Sequence, residues 1–242
     1  MNIDPLSILT KEDMEKERTP EQLSLWWEKK NQEFASFPEG HHYALLKRGL
    51  AGKFYDEILP LNLLANILYK GRSGIFCIPN LSNDNFDAII RDYSFDPPYD
   101  LKVEFTKAMD KTAGHEERLR MKYFIEHRHV FLTGPIKFSG TERSGHKIEV
   151  KPVPVSRTLS MEKVFSLILD RIEAKCKKKY GYDHLLVILI DDYLAPRFGR
   201  VNDQKELKEF LENNVFNLNL DLRGLCILGL SGKTFFYKEY VM

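Results

Sequence analysis

The chain has 242 residues, a length that fits one substantial domain or one domain with an added helical segment. Its 36 Lys and Arg nearly balance 35 Asp and Glu, and this balance argues against a histone-like or polybasic membrane-binding protein. Three widely spaced cysteines match neither a zinc site nor a disulfide framework, which indicates a reducing compartment. The first residues lack a basic region and a long apolar run, so we expect no secretory signal, and the longest apolar run, residues 185–190, is too short to span a bilayer. We therefore expect a cytoplasmic protein with no membrane segment.

The N-terminal part of the chain predicts a helical annex. Residues 1–18 are rich in charge and predict a flexible arm or a short helix. Thr19-Pro20-Glu21-Gln22 has capping-box spacing and predicts a helix that runs to about residue 36. We accordingly assign residues 1–42 to an N-terminal arm and helix, and residues 43–242 to an α/β domain. Residues 43–69 have a helical pattern with breaks at 49–52 and near Pro60.

Two short predicted strands carry the most informative pattern of the chain. The first, 87–91, opens with Asp87, and the second, 100–107, contains Glu104. Apolar residues at positions 101, 103 and 105 alternate with polar ones, so Glu104 lies on the polar face. Carboxylates on neighbouring strands repel each other unless a cation lies between them, and a divalent metal or a lysine meets that need.

This pattern resembles the PD-(D/E)xK nuclease superfamily, in which an Asp on one strand and a Glu on the next hold Mg²⁺. The resemblance implies a restriction-endonuclease-like core, a central mixed β-sheet flanked by helices, with Asp87 and Glu104 as ligands of Mg²⁺ or Mn²⁺. In that superfamily, a Lys two residues after the Glu assists the attacking water. Here Thr106 stands at that position, and we expect Lys107, or Lys151 from a nearby strand, to replace the missing lysine.

An upstream acid and a second register complete the resemblance. The helix before the first core strand often contributes a Glu near the metal in this superfamily, and Glu57 matches by position. A solvated acid at a helix start, favoured by the helix dipole, is the alternative. Glu149 and Lys151 have the literal E-x-K form and give a second way to align the chain with the superfamily motif. We call the alignment through Asp87 and Glu104 the first register and the alignment through Glu149 and Lys151 the second register. The second register leaves Asp87 far upstream unless a long insertion intervenes. We prefer the first register, because one strand–turn unit separates Asp87 from Glu104. Alternating charges on any half-exposed strand explain Glu149 and Lys151 equally well.

Four other segments carry weaker signals. Residues 102–151 hold more Lys and Arg than Asp and Glu, which suits a phosphate-rich substrate or is simply a solvated face. A predicted helix over 161–179 ends in four lysines, an arrangement typical of helix C-termini that also suits contact with a nucleic-acid backbone. Asp191 and Asp192 follow a buried strand and either bind metal or begin a loop. Residues 230–234 resemble the end of a phosphate-binding loop, but Ile227 replaces the required glycine and no helix can follow, so we reject an NTPase.

These patterns lead to three functional hypotheses. The first is a metal-dependent nuclease that hydrolyses phosphodiesters of DNA or RNA, with a homodimer as a possible assembly. The second is a catalytically inactive nuclease-fold protein that binds nucleic acid or a protein partner, which the Thr106 substitution favours. The third is a structural or interaction domain, and it predicts that the carboxylates of Asp87 and Glu104 point to different places.

Overall fold

A computed structural model of the chain describes residues 5–109, 113–130, 134–141, 145–151, 153–154, 156–178, 180–192 and 201–240. Within these ranges the protein is α/β, with a six-stranded mixed sheet flanked by helices, which confirms the predicted fold class. No described helix combines the length and the apolar character that crossing a bilayer requires. The chain divides into two compact units, unit 1 (Met1–Ala108 and Ile168–Met242) and unit 2 (Met109–Leu167).

The elements follow the predicted order closely. The helices are α1 (Lys11–Met14), α2 (Pro20–Ala35), α3 (Pro38–Leu45), α4 (Leu50–Lys53), α5 (Leu59–Tyr69), α6 (Ala113–His127), α7 (Arg157–Cys176) and α8 (Val201–Asn214). The strands are β1 (Ile75–Pro79), β2 (Ala88–Asp92), β3 (Tyr99–Lys107), β4 (Ile136–Thr141), β5 (Gly145–Val150), β6 (Gly181–Ile190), β7 (Leu222–Gly229) and β8 (Phe235–Glu239). A short 3₁₀ turn (Pro5–Ser7) precedes α1, and a π-helical turn (Phe54–Ile58) joins α4 to α5.

Helix α2 begins where the sequence predicts, and one of the two predicted helix breaks is present. The hydroxyl of Thr19 accepts a hydrogen bond from the amide of Gln22 at 3.3 Å, and the Gln22 side chain accepts one from the Thr19 amide at 3.0 Å. This capping box satisfies donors that the first turn of α2 leaves free. The break predicted at 49–52 falls between α3 and α4, where Gly49 adopts a φ of 51°. The break predicted near Pro60 is wrong, because the chain stays helical from α4 through the π-helical turn into α5, and Pro60 in the first turn of α5 is accommodated there.

The main sheet has the order β1-β2-β3-β6-β7-β8. The first three strands form an antiparallel meander, β3, β6 and β7 are parallel, and β8 closes the sheet as an antiparallel hairpin with β7. The crossover from β3 to β6 contains unit 2 and α7, and that from β6 to β7 contains α8. The chain therefore has the order helix, three strands, helix, strand, with unit 2 inserted between the third strand and its following helix.

Helices cover the sheet, and its two faces hold different residues. Residues 101, 103 and 105 of β3 and 185, 187 and 189 of β6 share one buried cluster with the N-terminal helices, including Leu23 and Phe54. Because side chains alternate along a strand, Glu104 and its β6 partner Leu186 lie on the opposite face. Lys175 of α7 contacts Glu104, which places the last turn of α7 on that face.

Unit 2 consists of a β-hairpin, helix α6 and the first turns of α7. Strands β4 and β5 pair antiparallel, with Lys137 opposite Glu149 and Ile136 opposite Val150. Helix α6 packs on this hairpin: Leu119 of α6 is buried, and Arg120 donates a hydrogen bond to the Gly134 carbonyl just before β4. The predicted E-x-K strand is thus one strand of a separate two-stranded sheet.

Candidate carboxylate–lysine site

Asp87 and Glu104 come together across the β2–β3 pair. Ala88 pairs with Val103, so the residue before Ala88 is adjacent to the residue after Val103. The Asp87 carboxylate accepts a hydrogen bond of 2.7 Å from the amide of Phe105, the residue that follows Glu104. Burial raises the pKa of Asp87, the Phe105 amide opposes this rise, and the Glu104 charge adds to it. The arrangement fixes two carboxylates side by side at the start of β2.

Lysine side chains from α7 and just beyond it surround the Glu104 carboxylate. Glu104 is 6% exposed, and its Oε1 accepts a short hydrogen bond from Lys175 Nζ. Lys178 Nζ lies 3.9 Å from the same oxygen but is half exposed. The charge of Lys175 also acts on Asp87, where it lowers the pKa. Lys175 is therefore the lysine of the site, although it comes from a helix and not from β3.

Glu57 joins this group from the π-helical turn. Its Oε1 accepts from Lys53 Nζ at 2.7 Å, and the side chain of Glu57 is 16% exposed. Burial raises the pKa of Glu57 to about 7, with a smaller contribution from the Asp87 charge, while Lys53 opposes the rise. Lys53 likewise lowers the pKa of Asp87. Three carboxylates and two lysines thus share one electrostatic neighbourhood.

Several buried oxygens in this neighbourhood have no hydrogen-bond partner at ordinary distance and angle among the residues that the structure describes. They are Glu57 Oε2, Glu104 Oε2 and the hydroxyl of Tyr180. Tyr180 is 8% exposed, and burial raises its pKa, with its hydrogen-bonding interaction with the Glu104 carboxylate as the next cause. Buried polar atoms in native proteins normally have partners, and the Tyr180 hydroxyl and the Glu104 carboxylate lie close enough to serve as each other's.

The oxygen donors of the site fit a divalent cation. Mg²⁺ is held in many enzymes by one or two carboxylates, while water and substrate phosphates complete its shell. Asp87 and Glu104 supply such a pair, with the Lys175 ammonium and the Tyr180 hydroxyl beside Glu104. No group of three or more His, Cys, Asp and Glu side chains able to hold a metal ion occurs in the described part of the chain. A cation would therefore rest on this pair with Glu57 beside it.

Thr106 and Lys107 occupy opposite faces of β3. Thr106 lies on the face of Glu104, by the alternation of side chains along the strand. Lys107 points to the other face and forms an ion pair with Asp56, which also accepts from Lys47 at 3.0 Å. The structure thus brings Lys107 to Asp56 and places Lys175 next to Glu104.

Residues of the second register belong to unit 2. Glu149 forms an ion pair with Lys147 at 2.7 Å, and Lys151 is an exposed residue immediately after β5. The amide of Lys151 continues the hairpin ladder with a hydrogen bond of 3.2 Å to the Pro135 carbonyl. Within unit 2, Glu149 and Lys151 follow the surface pattern of an alternating strand.

Asp192 has a structural partner at the other end of β6. Its carboxylate accepts hydrogen bonds from the amide and the hydroxyl of Ser231, at 2.8 and 2.5 Å. A Cβ added to Gly229 would lie 2.1 Å from Asp192 Oδ2, so the glycine permits this close approach. Asp192 therefore holds the β7–β8 turn. Lys179, the last lysine of the predicted helix end, lies outside the described residues.

Searches against protein-family models, curated proteins and solved structures found no match to this chain. The resemblance to PD-(D/E)xK nucleases therefore remains an expectation from the residues and their arrangement.

Lys53 and Lys175 are site residues that the sequence reasoning did not select. Lys175 had a usable signal, because it follows Ile168 and Ile172 at the spacing of one helical face, and those two residues are fully buried. A lysine that continues an apolar stripe points toward the core, where it needs an acid. Lys53 precedes Glu57 by four residues, the spacing of a helical ion pair.

Proposed function

We propose that the protein is a metal-dependent hydrolase of nucleic-acid phosphodiesters, with Asp87 and Glu104 as the ligands of Mg²⁺ or Mn²⁺. The observation that supports this most strongly is the meeting of these two carboxylates on paired strands with the Lys175 ammonium on Glu104. A site for phosphodiester hydrolysis needs oxygen ligands for a hard cation and a fixed positive charge for the phosphate.

Each side chain has a distinct role in this proposal. The Phe105 amide fixes the orientation of the Asp87 carboxylate. Lys175 is held by Glu104 at a place where its charge can stabilise negative charge developing on a phosphate oxygen. Glu57, whose pKa is raised to about 7, can hold a proton at its buried Oε2 or release it near neutral pH. A bound divalent cation would polarise the phosphate and lower the pKa of a water molecule.

The proposal is tested by a cleavage assay on purified protein. Wild type, Glu104→Gln and Asp87→Asn are incubated with supercoiled plasmid, linear single-stranded DNA and a structured RNA, each in Mg²⁺, in Mn²⁺ and in EDTA. We expect wild type to cleave at least one substrate only with metal, and both variants to lose at least about 10²-fold in rate, as for groups that act directly on developing charge.

A matched carboxylate variant controls for nonspecific effects. Glu28→Gln changes an exposed acid of α2 and should cleave as wild type does. Cleavage that survives Glu104→Gln would contradict the proposal. If Glu149→Gln abolishes cleavage and Glu104→Gln does not, the active site contains Glu149 and Lys151 and not Glu104.

The alternative is a non-catalytic protein that binds nucleic acid or a protein partner on the same scaffold. Thr106 in place of a lysine favours it, as do the contacts that Lys53 and Lys175 already make with Glu57 and Glu104. It predicts no cleavage of any substrate in any metal. If the protein then binds nucleic acid equally well with and without EDTA, its function is nucleic-acid binding and not binding of a protein partner.

A further inference from the structure

Positive charge is concentrated in unit 2. Residues 109–167 contain 11 Lys and Arg and 7 Asp and Glu, a net charge of +4. The remainder of the chain has 25 Lys and Arg and 28 Asp and Glu, a net charge of −3. A nearly neutral protein therefore contains a basic inserted unit, and the separation of charge is hidden in the overall balance.

Three lysines of unit 2 lie on one face of the β4–β5 hairpin. The register places Lys137, Lys147, Glu149 and Lys151 on one side and Ile136, Ile148 and Val150 on the other. The three lysines are exposed, whereas the three apolar residues are partly buried, and α6 contacts both strands of the hairpin. We call the side with the three lysines the lysine face.

The lysine face carries more cations than its own acid can neutralise. The hydrogen bond and charge of Lys147, followed by the charges of Lys151 and Lys137, lower the pKa of Glu149. All three lysines therefore lie within electrostatic reach of one carboxylate, and the face keeps a net charge of +2. Along β5, residues two apart on one face are about 7 Å from each other, so Lys147 and Lys151 lie about 14 Å apart with Glu149 between them and Lys137 opposite Glu149. The face thus presents three exposed ammonium groups around one carboxylate.

We propose that the lysine face binds the phosphodiester backbone of the nucleic acid, in either DNA or RNA. Lysine ammonium groups contact phosphate oxygens as point charges and need no base-specific geometry. The inference rests on the proposed nucleic-acid substrate and adds a second place, on the inserted unit, where that substrate is held. The contribution is independent of sequence and depends on salt, because phosphate contacts release counterions.

The test measures binding without metal, so that cleavage does not interfere. Fluorescein-labelled probes of 20-bp random duplex DNA, 20-nt single-stranded DNA and 20-nt RNA are titrated in EDTA at several NaCl concentrations, with fluorescence anisotropy as the readout. The variant K137A/K147A/K151A is compared with wild type. We expect a loss of affinity of at least about tenfold near 0.1 M salt, and a slope of log K against log salt that is smaller by about 2 to 3.

Two matched variants separate charge from folding and from general electrostatics. K29A/K205A/K208A removes three exposed lysines of α2 and α8 and should keep the wild-type slope. K137R/K147R/K151R keeps the charge and should keep the affinity, which a merely structural role of the lysine side chains would not require. Circular dichroism checks that the alanine variant is folded.

The outcomes distinguish this inference from the proposed function. A probe bound with the expected change of slope supports the lysine face, and the three probes show whether the backbone is that of DNA, RNA or both. Equal affinity and slope in K137A/K147A/K151A and wild type would overturn the inference, even if wild type cleaves with metal. An absence of binding by wild type to all three probes would also overturn it, whereas only the cleavage assay decides on the hydrolase.

Discussion

Glu57 makes the stability of the protein depend on pH in a defined direction. Its pKa is about 7 in the folded protein and 4.5 when unperturbed, and burial is the main cause. Between these values the folded chain holds a proton that the unfolded chain has released, so the free energy of unfolding falls as the pH rises. The stabilisation is complete below pH 4.5 and lost above about pH 7. The difference corresponds to about 3 kcal/mol.

Replacement of Glu57 by Gln removes this titration and keeps the shape of the side chain. We expect Glu57→Gln and wild type to have similar stability near pH 4.5, and the variant to be more stable by about 3 kcal/mol at pH 8. Urea denaturation at pH 5, 6, 7 and 8 measures the difference, with the exposed Glu28→Gln as a control expected to stay within about 0.5 kcal/mol. A stability difference between Glu57→Gln and wild type that does not change with pH would refute the reasoning.

Three further substitutions test the assignments around the site. Lys175→Met should lower the free energy of unfolding by about 3 kcal/mol, because Glu104 would keep a buried charge without its partner, and it should abolish cleavage. Unchanged stability in urea denaturation would contradict the ion pair. Replacement of the exposed Lys177 by Met is the control. Lys107→Ala should lower the free energy of unfolding by less than about 1 kcal/mol and should leave the affinity for Mn²⁺, measured by calorimetry, unchanged. Loss of Mn²⁺ binding in this variant would place Lys107 in the metal centre. Asp192→Ala should lower the free energy of unfolding, measured by urea denaturation, by about 2 kcal/mol, because two hydrogen bonds are lost. A simultaneous loss of Mn²⁺ binding would show that Asp192 is a metal ligand.

Local sequence patterns predicted the elements well, because each pattern reflects a local cause. Thr19 and Gln22 form their capping box within one helical turn, and residues 101–106 alternate between faces along one strand. The adjacency of Asp87 and Glu104 followed from two strands joined by a short turn, which pair with each other more readily than with distant segments.

Contacts between distant segments were harder to predict. Lys175 lies 71 positions after Glu104, and nothing in β3 indicates which helix covers its polar face. Lys107 was assigned by its nearness in sequence to Glu104, but one step along a strand reverses the direction of the side chain. Strand β5, with Glu149 and then Lys151 at its end, has the same local pattern as a strand of the main sheet, although it belongs to unit 2. A local pattern does not indicate which sheet a strand joins.

The measurement that tests the central claim most directly is calorimetric titration of Mn²⁺ into wild type, Glu104→Gln and Glu149→Gln. We predict that wild type and Glu149→Gln bind Mn²⁺ and that Glu104→Gln does not, because the pair of Asp87 and Glu104 holds the cation. Equal binding by wild type and Glu104→Gln, or no binding by wild type, would contradict a metal site between β2 and β3.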